Sequence, residues 1–394
     1  MRPRAQPGVG AVQERRNEPG IVDIDSCLLI SPKSGSIDIT ALVTEISIYE
    51  DIMSPFLSGT LTIVDATGLS EVLPLIGEEL VYIQVKTPGY DDQREFVRAG
   101  MFALYKMESR ENLGLKMAGY KLCFTSVEAV TDVNTRLSMT YRGKISENVE
   151  KILTGSPGLG TGKKAVVEPT INNEIHTSNF WTPTQNIYYL SGRALNGLNN
   201  PSYVFFENNE GFVFASIDTL SALPTIQQFV RDSKTRGPEG GQDLEEEYRK
   251  VLDMSVPVMY DYFDRVQEGY YGSSVYQYDL VTKRLNYTNL VAFDMLKKIK
   301  LNDAPAASDQ LQFMPKAAMS LSVIHRDLYN NSPYLPVDHT ARRLALLKQI
   351  STMTINIRVF GRLDYSVGKT VDFTAYKDAR TDKSETADQD IGVS

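Results

Sequence analysis

Two cysteines, one tryptophan and three histidines in 394 residues are scarcities, and each removes a class of function. Cys27 and Cys123 stand far apart, and neither belongs to a Cys-x-x-Cys pair, so no zinc ribbon or redox motif can be built from them. They could bridge across a barrel, although free core thiols in a reducing cytoplasm are the expectation. His176, His325 and His339 have no metal spacing between them, and local hydrogen bonds are enough to explain His176, in a polar loop, and His339. Also missing are a His-Glu-x-x-His run and a Gly-x-Ser-x-Gly elbow. No apolar run approaches the roughly 18–20 residues of a membrane-spanning helix. An excess of basic residues is lacking too. The formal charge is -8, whereas a grip on nucleic acid needs clustered Lys and Arg to displace counterions. The first twenty residues, MRPRAQPGVGAVQERRNEPG, have no apolar core of a signal peptide. They read as an extended arm that cannot bury a core alone, either disordered or ordered against a neighbouring subunit.

What is present is β pattern. The 42% hydrophobic content and 23% charge are those of a chain that buries real cores, and its length implies two to four domains. From Val22 the apolar residues recur every second position. Thr44 to Tyr49 and Thr60 to Ile63 alternate, Leu80 to Val85 follows Gly77, and Phe96–Met107 with Leu115–Phe124 forms a hairpin about Asn112, Leu113 and Gly114. The expectation is an antiparallel barrel or sandwich. The middle is mixed. Ser146 is placed as the cap of a helix ending before Gly155, and Thr184 as the cap of another running to about Leu195. Tyr203–Phe206 and Phe212–Phe214 flank Asn208-Asn209-Glu210-Gly211 as a hairpin. KTRGPEGGQ (234–242) is a linker, and Glu245, Glu246 and Glu247 follow it. Beyond it Val256, Val258, Tyr260 and Tyr262 alternate, and Ser274 to Leu280 is a strand. Asp338 caps a helix with an apolar stripe of Ala341, Leu344, Leu347 and Ile350 and solvated Arg342, Arg343 and Lys348. The strand Thr354–Val359 follows, then a turn between Gly361 and Gly368, then Val371–Thr374.

The expected fold is therefore mainly β with an α+β insert: two similar antiparallel β-barrel domains plus smaller intervening α+β domains. The divisions are an extended arm 1–21, a first tube-like barrel 22–130, an α+β insert 131–233 and a linker 234–249. The second barrel then runs 250–285, is interrupted by a helix-bearing insertion 286–350, and resumes at 351–394. The duplication rests on an internal echo. Tyr49-Glu50-Asp51 leading to Gly59–Asp65 resembles Tyr260-Asp261-Tyr262 leading to Gly272–Asp279, and Gly77-Glu78-Glu79-Leu80-Val81 resembles Gly368-Lys369-Thr370-Val371-Asp372. Thr354–Val359 competes with Ser274–Asp279 for the role of the Thr60 strand.

Two stretches carry a hint of chemistry. GSPGLGTGKK (155–164) resembles a phosphate loop, but Pro157 occupies the position of the first glycine and Lys164 that of the magnesium-binding hydroxyl, so it reads as a flexible loop. Tyr260, Tyr262, Tyr270, Tyr271, Tyr276 and Tyr278 could stack sugars or bases, but period-two spacing fits barrel core and subunit contact better. A glycosidase-type carboxylate pair is spatial, so sequence neither supports nor excludes it. No catalytic, cofactor-binding or metal-ligating residue is assigned.

EISIYEDIMSPFLSGTLTIVD (45–65), IGEELVYIQVKTPG (76–89), YVFFENNEGFVFASIDTL (203–220) and FGRLDYSVGKTVDF (360–373) together resemble the central baseplate hub protein of T-even-like contractile-tailed phages, a family related to type VI secretion spike hubs. The resemblance implies a homotrimer, without enzymatic activity or cofactor, whose paired barrels join a six-fold tail tube to a three-fold central spike. Implied partners are the trimeric spike, tail tube or tube-initiator proteins, other baseplate wedge proteins, and genome DNA passing through the lumen without specific binding. The implied place is the virion tail baseplate, assembled in the host cytoplasm; the alternatives are a cell-wall-degrading or carbohydrate-binding tail protein, or the spike hub of a secretion-type injection system. One departure stands out: after Tyr376 the sequence becomes DARTDKSETADQDIGVS, with no partner hairpin. The expectation is a chain that stops short by roughly thirty residues of period-two pattern, or an edge covered by a neighbour.

Overall fold

A computed structural model describes residues 19–32, 35–68, 75–87, 96–114, 117–231, 244–258, 261–270, 272–279, 283–291, 317–324, 337–350, 353–375 and 391–393. His325, Tyr260, Tyr271, the linker 234–242 and the arm before residue 19 lie outside them.

The first unit comprises β1 (Asp23–Ser31), β2 (Gly35–Asp38), β3 (Val43–Tyr49), β4 (Ser58–Asp65), β5 (Leu80–Thr87), β6 (Phe96–Gly114) and β7 (Met117–Ser126). They form one antiparallel sheet in the order β2-β1-β5-β6-β7-β4-β3. Its two edge strands are consecutive in the chain, joined through the 3-10 turn Thr40–Leu42. The sheet therefore curls until its ends approach, leaving the ladder open between β2 and β3. Strict alternation puts one side chain in two inside. Leu29, Leu61, Ile63, Val81, Leu122 and Phe124 pack at 0–2% exposure, each contributing about 1.5–3 kcal/mol by leaving water. Cys27 and Cys123 are buried free thiols, and burial pushes Cys27 up to about 12. Gly114 pairs with Met117, so Asn112, Leu113 and Gly114 belong to the strand and not to the turn.

The second unit holds α1 (Val127–Asn134), β8 (Thr140–Lys144), α2 (Ile145–Thr154), β9 (Ala165–Val167), β10 (Asn173–Thr177), α3 (Pro183–Ser191), β11 (Tyr203–Asn208), β12 (Gly211–Ser216) and α4 (Ile217–Ser221). The β11–β12 hairpin has the expected register, with Asn208 opposite Gly211, and β9 adds to it in parallel. Ile145, Val149, Ile152, Tyr203, Phe205 and Phe214 form its core. Both helix starts differ from expectation. Lys144 precedes α2 without a side-chain cap, and Ser146 instead bonds Thr170. Thr182 caps α3 in a capping box with Gln185 around Pro183, because Thr184 is taken by the Asp132 carboxylate. The loop 155–164 is packed rather than loose: Leu159 is buried, and Leu159 and Thr161 donate to the last carbonyls of α2.

The remaining elements are β13 (Thr225–Arg231), α5 (Leu244–Tyr248), β14 (Val251–Val258), α6 (Tyr262–Gln267), β15 (Gly272–Asp279), β16 (Arg284–Val291), β17 (Ala317–Ile324), α7 (Arg342–Ile350), β18 (Thr354–Val359), β19 (Thr370–Ala375) and β20 (Ile391–Val393). Tyr262 opens a helix and does not continue a strand. Thr354–Val359 pairs antiparallel with β14. β15 lies between β16 and β17, so its hairpin crosses the expected boundary at 285. β13, expected in the insert, runs parallel to β19, and β20 returns antiparallel to β19, supplying a strand where the tail was expected to have none. Gly77 and Gly368 share a positive φ, 89° and 83°, ahead of β5 and β19. Those strands differ in their neighbours, however, since β5 is antiparallel to both of its partners. Among the described residues the first sheet curls as half a barrel, and the strands after residue 222 form three small sheets. Asp338 lies within a π-helical turn, Val337–Ala341, and Ala341, Ala345 and Leu346 are the buried positions next to and within α7. Arg343 is not solvated: it donates to the carbonyl of Ser191, at the C-terminal end of α3, where helix carbonyls lack partners and favour a cation, and to that of Pro201.

Candidate functional site

The polar side chains that matter most lie where the curled sheet meets the hairpin. Along β11, Tyr203 and Phe205 face the second core while Val204 and Phe206 face a third with Ile217. Alternation therefore aims Glu207 inward as well, and it is 1% exposed. Its Oε2 accepts from the Leu57 backbone N–H at 2.9 Å and Ser126 Oγ at 2.6 Å, and its Oε1 from Lys163 Nζ at 2.6 Å. The same ammonium donates to Glu128 Oε2 at 2.7 Å, and Thr161 Oγ1 donates to the other Glu128 oxygen. Burial works against the Lys163 charge, but attraction to Glu207 and hydrogen bonds to both carboxylates outweigh it and hold the lysine above its usual value. The lysine of the phosphate-loop lookalike is thus a brace between two acids. A cavity of about 170 Å³ beside it is lined by Ile83, Val85, Phe102, Arg98, Lys163 and Glu207 among others.

A second carboxylate closes the same junction from the far end of the chain. Glu50, just past β3, accepts from Arg98 at 2.6 Å through one oxygen; its other oxygen accepts from Ser366 Oγ at 3.0 Å and the Val367 N–H at 2.8 Å. The segment 361–369 then runs past the hairpin turn, where the side-chain amides of Asn208 and Asn209 donate to the Val367 and Leu363 carbonyls. Leu363 packs on the sheet's core and Val367 on the third core. This clasp ties the first sheet, the α+β hairpin and the segment 361–369 to one another. Glu207 and Glu50 each spend their oxygens on one cation and on fixed donors, and with Glu128 the junction holds three carboxylates against two cations. No cluster of three His, Cys, Asp or Glu side chains among the described residues could hold a metal ion.

His176 lies on β10, not in a loop, and is 4% exposed. Its Nε2 is 2.7 Å from Asn186 Oδ1, and its ring stacks 4.6 Å from Tyr189. Burial lowers its pKa, so the fold holds it neutral. The stability this supplies is fully present above the ordinary 6.5 and is lost as pH falls through the lowered value, because the unfolded chain binds the proton first. Thermal melts from pH 7 to pH 5 are expected to show a slope that His176→Gln flattens; an unchanged slope would assign it to other groups. His339 is buried beside α7.

Of these junction residues, the sequence drew attention only to the stretch holding Thr161 and Lys163, and there for another chemistry. The available signal was Glu207, a lone acid in a run of aromatic residues whose neighbours on both faces are apolar.

No family model matches the chain, and no curated protein matches it. Among solved structures, a 43 kDa tail protein of prophage MuSo2 from Shewanella oneidensis superposes with a TM-score of 0.50 at 7% identity, over 90% of this chain and 88% of that one. A tail protein from Neisseria meningitidis MC58 gives 0.49 at 11% identity, over 89% and 86%. Prophage tail protein gp18 from Listeria monocytogenes EGD-e gives 0.47 at 10%, over 89% and 85%. These structural neighbours are phage tail proteins. At such identities likeness shows fold alone, and the fold, carried by the Shewanella protein, is a mainly β tail-protein fold, in keeping with the resemblance read from the residues. No helix among the described residues is long and apolar enough to cross a membrane.

Proposed function

We propose that the chain is a non-enzymatic virion protein, the baseplate hub of a contractile tail, which trimerises to join the six-fold tail tube to the three-fold central spike. The observation that carries this reading is the end-to-end match to a prophage tail protein fold. The braced junction supports it, since a part that passes force from tube to spike needs units that do not hinge. Closed rings are built from heterologous contacts between like surfaces, and the open β2–β3 seam offers an unpaired edge for one. In this reading each subunit gives the ring its curled sheet and, as the second lobe, its C-terminal strands. Spike, tube or tube-initiator and wedge proteins are the partners, and assembly precedes incorporation into the virion. A net charge of -8 suits a lumen past which DNA slides.

Negative-stain images of the purified chain, alone or with a co-expressed spike, are expected to show rings with three-fold symmetry around a hole. Compact particles without a hole under both conditions would count against the hub. A peptidoglycan zymogram is expected to stay blank; a cleared band would favour the cell-wall-degrading alternative.

A further inference from the structure

β8 and β10 form a two-stranded ribbon with unlike faces. One face is buried: Tyr141, Glu174 and His176 lie against Tyr189 and Arg193. On the other, Thr140 stands opposite Thr177, Arg142 opposite Ile175 and Lys144 opposite Asn173, and all six are exposed. That face has two cations and no carboxylate, in a chain with eight surplus negative charges.

The hydrogen-bond phase identifies an open edge. Ser178 N–H donates to the Met139 carbonyl at 2.9 Å, and this antiparallel register makes 176 with 141 and 174 with 143 the bonded pairs. The backbone N–H and C=O groups of Asn173, Ile175 and Thr177 consequently point away from β8. No described strand pairs with that edge. Just beyond it stands Phe180, with φ of 62° and 68% exposure. A bulky L-residue is strained in the left-handed region, and a ring this exposed returns little to the fold. Strain of this kind beside an unpaired strand is a reason to look for contact there.

We propose that the β10 edge docks an extended acidic segment of another polypeptide as a third strand. Main-chain groups of Ile175 and Thr177 would supply the pairing. The segment's carboxylates would reach over β10 toward Arg142 and Lys144 on β8, and an apolar side chain would rest on Ile175 and Phe180. This goes beyond the hub reading and does not depend on it, because the site needs neither a trimer nor a spike.

The test uses the full chain and a short acetylated peptide alternating Glu and Val around one central Phe, with a twin carrying Lys for Glu. The acidic peptide is expected to slow amide exchange at Ile175 and Thr177 at least tenfold and to bind at least tenfold tighter than its twin. Ile175→Pro removes an edge N–H and leaves the β8 ladder intact, so it should abolish binding; Arg142→Glu should reverse the preference. Phe180→Gly should weaken binding yet raise the melting temperature. Equal binding of the twin, binding that survives Ile175→Pro, or no slowing at β10 with peptide in large excess would overturn the proposal. A lowered melting temperature for Phe180→Gly would show that the ring serves the fold instead.

Discussion

Replacing Glu207 by alanine should cost about 3–5 kcal/mol, the usual penalty for breaking a buried ion pair from one side. The side chain is 1% exposed, and its removal takes the acceptor from the Leu57 N–H and the Ser126 hydroxyl. Each donor left unsatisfied costs about 1–3 kcal/mol. Lys163 would keep only Glu128, and with it loses the link from the loop 155–164 to β11. Glu207→Gln should be milder, since its oxygen can still accept from Leu57 or Ser126 while its amide faces the ammonium. A chain with several units need not unfold in one step, so hydrogen exchange is the better readout. Protection should fall first in β11, β12 and around Leu57. Loss spread evenly over the molecule, or none, would show that the junction is not where the units are joined.

Gly368→Val should be nearly as damaging, at about 3 kcal/mol, from left-handed strain and overpacking together. Gly368 has φ of 83°, and a Cβ there would sit 2.6 Å from Cζ of Phe206, a ring with no exposed surface. The variant should therefore lift the segment 361–369 off the hairpin and release Glu50 from Ser366 and Val367. The control is its neighbour. Lys369 holds the Glu210 carboxyl below its usual range, but the pair lies at the surface, where such contacts contribute only about 0–1 kcal/mol. Lys369→Ala should thus be close to silent. Limited proteolysis distinguishes the two variants: new cleavage near residue 366 is expected for Gly368→Val alone. Equal resistance of both would mean that the clasp bears no load.

The strands were legible because burial on one face of a sheet imposes a period of two, and this pattern survives in the sequence at Thr60–Ile63, Leu80–Val85, Tyr203–Phe206 and Thr354–Val359. Pairing partners were not, since periodicity says nothing about which strand lies beside which. β19 has the same glycine entry as β5, yet its neighbour β13 comes from a stretch assigned to the insert and runs parallel to it. Local competition explains the misplaced caps. Thr182 and Thr184 can both begin a helix, and a bond from Asp132, 52 residues away, decides between them. The junction was hidden for the same reason: Glu128, Lys163 and Glu207 are separated by 35 and 44 residues, and Glu50 meets its clasp 316 residues later. Arg343 looked like a solvated helix charge because nothing nearby in sequence marks the carbonyls of Ser191 and Pro201 that it serves.

The proposed role requires this chain to close into a trimer. Sedimentation velocity of the purified full chain, alone and with a co-expressed spike, tests it most directly. The expected result is a principal species containing three copies of the 44.0 kDa chain, under at least one of the two conditions and persisting on dilution. A single species at the mass of one chain under both conditions would contradict it.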